Sequence, residues 1–161
     1  MTKLSIRQMI DSGAWYRCES EGIGLGSPIQ FRIRFTAFRP VKTGEIDNPQ
    51  NISKINLNEG RLWLLSFSAV NQGKVGFNPY YIQWSFVIVD HEDCEFKQAD
   101  DTYLSCMSTF SLKTGMRRFS GTAPLLAPKM PADGAAVYLL PDEECPGYSL
   151  KMVKKARMEE I

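Results

Sequence analysis

Histidine is almost missing from this sequence: His91 is the only one in 161 residues. Any Ser–His or Cys–His nucleophilic pair would have to use that one imidazole. It sits in the polar stretch Asp90-His91-Glu92-Asp93, where a solvated loop histidine is the simpler reading. No Gly-x-Ser-x-Gly elbow accompanies the many serines, so the usual hydrolase geometry is excluded as well. The four cysteines, Cys18, Cys94, Cys106 and Cys145, include no Cys-x-x-Cys pair, which removes the common zinc spacings. Net charge is also lacking: 19 basic residues oppose 18 acidic ones for a formal charge of +1. No global field therefore draws the chain to nucleic acid or to an anionic membrane. No apolar run approaches the roughly 20 residues that span a bilayer as a helix. Residues 1–10 carry no continuous apolar segment of the signal-peptide kind, which leaves two readings, a cytosolic protein or a start after a removed leader. The one glycine cluster, Gly22-Ile23-Gly24-Leu25-Gly26, precedes a strand pattern, the wrong order for a dinucleotide or phosphate loop. Internal repeats and low-complexity runs are absent.

What is present is a series of short strand patterns. Ile29, Phe31, Ile33 and Phe35 alternate with Gln30, Arg32, Arg34 and Thr36, a period of two with one wet, basic face, and Pro40 ends it. Residues 61–70 are apolar on both faces at their start, as a central strand would be. Residues 80–90 set Tyr80, Ile82, Trp84, Phe86 and Ile88 against Gln83 and Ser85, and read as another strand. Short strands are expected at 103–107 and 110–112, and longer ones at 135–140 and 148–153. Residues 4–11 predict a short helix closed by Ser12-Gly13. Residues 19–28, 40–60 and 91–101 read as loops, 71–74 and 141–147 as turns, and 115–121 as a basic loop bounded by glycine. These elements suggest three segments: a helix-and-loop segment at 1–25, a β domain at 26–153, and a charged tail at 154–161, frayed or helical. A chain of this size buries roughly two-thirds of its unfolded surface, so it needs no disulfide to fold.

Three pieces of the second half resemble the DUF4352 family of immunoglobulin-like domains. They are the strand from Leu62 to Asn71, the stretch from Asn78-Pro79 to Val87-Ile88-Val89-Asp90, and the run from Pro128-Lys129 through Gly134-Ala135-Ala136-Val137-Tyr138-Leu139-Leu140-Pro141-Asp142 to Tyr148-Ser149-Leu150. Residues 26–38 fit the family's first strand, so the resemblance spans about 26–153. It implies a sandwich fold and an envelope or secreted setting, and it brings no catalytic residue. Together with the strand pattern it gives the expected fold class, all-β, an immunoglobulin-like two-sheet β-sandwich with a short N-terminal helix.

Four residue sets are candidates for function. Phe77, Tyr80 and Tyr81 surround Pro79 in a turn, where aromatics anchor partners. Trp15 and Tyr16 are instead expected to cover one open end of the sandwich. Arg32 and Arg34 share one strand face with Arg39 further along; if Lys113, Arg117 and Arg118 lie nearby, a positive patch forms. Asp90, Glu92, Asp93, Asp100 and Asp101 are oxygen donors of the kind Ca²⁺ takes, although their spacing is not that of an EF-hand. Cys94 and Cys106 flank a polar segment that a disulfide would staple; four free thiols are the alternative.

The expected function is therefore a non-enzymatic protein-binding module of the bacterial envelope or secreted space, without cofactor and with nucleic acid an improbable partner. The alternative is a leaderless phage or mobile-element protein that binds and inhibits a cytosolic host complex. An enzymatic reading would need an unusual carboxylate site between Asp90 and Asp101. A homodimer through a sheet edge is open to either reading.

Overall fold

The computed structural model describes residues 4–21, 28–41, 60–98, 125–141, 147–153 and 156–161. In chain order the elements are β1 (Leu4–Ser5), α1 (Ile6–Ser12), β2 (Tyr16–Ser20), β3 (Ile29–Pro40), β4 (Arg61–Asn71), the single turn α2 (Tyr80–Gln83), β5 (Phe86–Val89), β6 (Glu95–Phe96), β7 (Pro131–Leu140), β8 (Ser149–Met152) and β9 (Arg157–Glu160). They form a two-sheet antiparallel β-sandwich. One sheet has the order β1-β8-β5-β6, the other β7-β4-β3-β2-β9.

Period two drives the larger sheet. In β3, Ile29, Phe31, Ile33 and Phe35 are buried while Gln30 and Arg32 are exposed. A register shift between Phe35 and Ala37 then turns Phe38 inward, as a β-bulge does. β4 is the central strand its composition predicts, with Leu64, Leu65, Ser66 and Phe67 consecutively buried. The core joins Phe31, Ile33, Phe35, Leu65 and Phe67 to Ile88, Tyr138 and Leu150. Each such side chain contributes about 1.5–3 kcal/mol of transfer free energy when fully buried. α1 starts at a Ser5 cap and ends at Gly13 in the left-handed region, φ 65°, where glycine carries no Cβ penalty. Its Ile6 and Met9 enter the core.

Three expectations are corrected. The 19–28 loop begins two residues late, because 16–20 form β2, with Tyr16, Cys18 and Ser20 facing in; the 1–25 segment thus supplies a strand of the main sheet. The 154–161 tail is neither frayed nor helical at 157–160, since β9 pairs there with β2. Residues 80–83 are helical, not extended: Asn78 Oδ1 accepts from the Tyr80 N–H at 2.9 Å and Pro79 sits at φ −60°, which starts a turn rather than a strand. The strand begins only at Phe86. The expected strands at 103–107 and 110–112, the basic loop at 115–121 and nearly all of the 40–60 loop lie outside the described residues.

The two flanks of the sandwich differ. On one, a bridge between Gln98 and Tyr138 ties the end of β6 to β7, reinforced by Gln83 Nε2 donating to Gln98 Oε1 at 3.0 Å. On the other, β1 and β8 face β2 and β9 across a groove of about 350 Å³ whose lining includes Leu4, Tyr16, Leu150, Met152 and Met158.

Candidate protein-binding face

The register of β2 against β3 sets Arg17 directly opposite Arg32, with Tyr16 opposite Ile33. Period two turns Tyr16 into the core and leaves Arg17 and its neighbour Trp15 on the outer face, beside Arg32 and Arg34. Two like charges directly opposite on one face are unfavourable. The structure offsets this from two sides. Arg17 Nη1 reaches Glu159 Oε1 on β9 at 3.2 Å. The guanidinium carbons of Arg32 and Arg34 lie 5.0 and 5.1 Å from the centre of the Trp15 ring, within cation–π range.

Trp15 is therefore not the end plug expected of it. It is half-buried on the sheet face, in contact with two arginines. Neither arginine has a carboxylate partner among the described residues, and Arg34 Nε is buried without a hydrogen-bond partner. Further across the face, Ser68 Oγ donates to Asp133 Oδ1 at 2.7 Å and Thr36 pairs with Ser66 at 2.7 Å. The face thus presents an aromatic platform carrying two cations, with Glu19, Asp133 and Glu159 at its rim. The alternation in β3 made Arg32 and Arg34 legible. The role of Trp15 depended on the β2–β3 register, whose only local signal was the Trp-Tyr-Arg-Cys-Glu alternation. Arg117, Arg118 and Lys113 lie outside the described residues.

The aromatic turn is placed differently from expectation. Phe77 is 4% exposed and belongs to the core. It exchanges two backbone hydrogen bonds with Leu126, at 3.3 and 2.8 Å, which draws the ring inward to 6.4 Å from Phe31. Tyr81 is half-buried against the core, and Tyr80 packs edge-on to Trp84. Phe77 is thus excluded as an exposed anchor. The exposed apolar side chains at this end are Val75, Leu125 and Met130. Their loops are held together by buried Asn71, which donates to the carbonyls of Val75 and Leu126 and accepts from Gly73 N–H.

In the acidic turn, Asp90 accepts from the backbone N–H of Glu92 and of Cys94, each at 2.9 Å. Those bonds, the one from Cys94 first, hold its carboxyl below the ordinary range. Asp93 takes φ 65°, and the turn joins β5 to β6. Among the described residues, Asp90, Glu92 and Asp93 form no group of three donors around a common point; Asp100 and Asp101 lie outside them. Cys94 is an exposed free thiol and Cys18 a buried one; Cys106, the partner proposed for Cys94, lies outside the described residues. Burial pushes the Cys18 thiol up to about 12.

No family model matches the chain, that of the DUF4352 family included, and no curated protein matches it. Among solved structures, ycdA of Bacillus subtilis subsp. subtilis str. 168, a provisionally named lipoprotein, superposes with a TM-score of 0.45 at 9% sequence identity. The match covers 90% of this chain and 38% of that one, so the chain spans little more than a third of that protein's length.

Proposed function

We propose that this chain is a non-enzymatic binding module that captures an acidic protein surface on the outer face of β2 and β3. The observation that carries this reading is the contact of Arg32 and Arg34 with the Trp15 ring, with no carboxylate paired to either among the described residues. The ring contact restrains both guanidinium groups, and a planar guanidinium offers paired N–H donors to a carboxylate. Such preorganisation lowers the entropy cost of binding. Three arginines on neighbouring positions also oppose each other, a cost in the free protein that a partner's carboxylates would relieve. An extended phosphate backbone fits less well, because Glu19, Asp133 and Glu159 border the patch and the net charge is only +1.

The setting has two readings. The resemblance to DUF4352 domains favours the envelope or secreted space. The other reading is the cytosol, and with it an inhibitor of a host complex, where Cys94 would stay a free thiol. A free-thiol count by intact mass on protein from its native location separates them.

The binding itself is tested with an acidic peptide, oligo-glutamate, titrated against the wild type and the Arg32→Glu/Arg34→Glu variant while tryptophan emission is followed. The wild type should bind with an affinity that falls as salt rises. The variant should lose about tenfold or more, because close charge pairs at interfaces couple by about 1.5 kcal/mol and upward. Binding that is indifferent to salt and to both substitutions would remove this face from consideration.

A further inference from the structure

β9 ends the five-stranded sheet, and among the described residues only β2 pairs with it. We infer that its free edge pairs antiparallel with β9 of a second copy, centred on Met158, to give one continuous ten-stranded sheet. The hydrogen-bond parity on this edge follows from the pairing already present. Ile161 N–H donates to the Trp15 carbonyl at 3.0 Å, and the register runs Arg17 to Glu159 and Glu19 to Arg157. In an antiparallel pair alternate residues direct both backbone groups to the same neighbour. Residues 157, 159 and 161 thus serve β2, and residues 158 and 160 present N–H and C=O to the outside.

Two copies related by a twofold axis through this edge must oppose residues of the same face. Of the centres that satisfy that, two pair three residues of each β9. Centred on Glu159, the strands would set Glu159 against Glu159 of the second copy, like charge on like charge. Centred on Met158, they exchange hydrogen bonds at Met158 and set Arg157 against the copy's Glu159 twice over. Met158, half-buried beside the groove that it lines with Leu150 and Met152, then meets its own counterpart. Charge selects the second register, and the free backbone groups are those it needs.

The twofold axis lies across the sheet, so both Trp15 platforms come to the same side; the pairing itself does not rest on their function. Four residues per copy form a small contact compared with the roughly 1,200–2,000 Å² of stable complexes, so the dimer dissociates on dilution.

Sedimentation of the full chain over a wide concentration range should show a reversible monomer–dimer equilibrium. Arg157→Glu alone and Glu159→Arg alone should each weaken it by about tenfold, two opposed pairs turning repulsive in each. An equimolar mixture of the two variants should recover the wild-type association as a heterodimer, because the carboxylate introduced into one variant then meets the guanidinium introduced into the other. Circular dichroism of each variant, expected to match the wild type, shows that both remain folded. A monomer at every concentration, a dimer indifferent to both substitutions, or a mixture of folded variants that stays monomeric would each overturn the inference.

Discussion

The side-chain amide of Asn71 donates to the Leu126 carbonyl at 2.8 Å across 55 positions of sequence. The same nitrogen reaches the Val75 carbonyl at 3.0 Å, and its oxygen accepts from Gly73 N–H at 2.8 Å. Asn71 is fully buried, so its amide is the fastener of one end of the sandwich. Asn71→Asp places an acceptor against two carbonyls and should destabilise the protein by about 2–3 kcal/mol, the cost of unsatisfied buried polar groups. Asn71→Leu removes the partner of the Val75 carbonyl and of the Gly73 N–H and should cost a similar amount. Urea unfolding of the three proteins measures both.

Gly60 stands where the chain enters β4. A Cβ built there would lie 2.2 Å from the Leu140 carbonyl oxygen, a backbone atom. Gly60→Ala must move the β4–β7 edge and should cost about 1–3 kcal/mol, as overpacking does. A melting point equal to the wild type's would show that this edge yields freely.

The thiols should differ in reactivity. Cys18, buried and pushed up to about 12, should resist an alkylating reagent at pH 8 until the protein unfolds. Cys94 is exposed, and the charges of Asp90 and then Glu92 raise its pKa. It should react in the native state, more slowly than a free thiol at the same pH and faster as pH rises. Peptide mapping after timed labelling assigns each rate. Asp90→Asn should speed the reaction of Cys94.

Acid should loosen the β5–β6 hairpin first. The Asp90 carboxyl is lowered by the N–H groups of Cys94 and Glu92, and that of Glu95 by its hydrogen bond from Lys151 at 2.6 Å. A carboxyl depressed in the folded state stabilises fully above its unfolded value, near 4, and loses that contribution as pH falls through the folded value. Amide exchange at Glu92 and Cys94 should therefore rise below about pH 4, relative to its intrinsic rate, before the β3–β4 core opens. In Asp90→Asn this acid step should shrink; an unchanged step would place its origin elsewhere.

Where period two coincided with burial, the fold was readable. β3 alternates because one of its faces is wet, and β4 reads as central because neither face is wet at Leu64 and Leu65. β9 left no trace, since Arg157, Glu159 and Glu160 bury almost nothing and the strand exists only because β2 offers it a partner. The aromatic run at 80–84 suited a strand on side chains alone, and the turn begun at Asn78-Pro79 overrode it. The same limit applies to the binding face. Arg32 and Arg34 announced themselves by alternation, whereas Trp15 became their partner through a long-range register of which the Trp-Tyr-Arg-Cys-Glu alternation is the one local sign. The turn around Pro79 marks Phe77 as an anchor, but its backbone exchange with Leu126 is a long-range contact and decides its burial.

The pairing of β1 with β8 and of β2 with β9 has a consequence for how the chain is made. During synthesis, residues 4–20 emerge early and have no β-partner on one side until residues 149–160 follow. β2 can meet β3 at once, yet β1 waits for nearly the whole sequence, and the groove flank stays unformed until then. Loop-closure entropy falls on that last step, so the flank should be the final part of the sandwich to assemble and the first to need shelter on the ribosome.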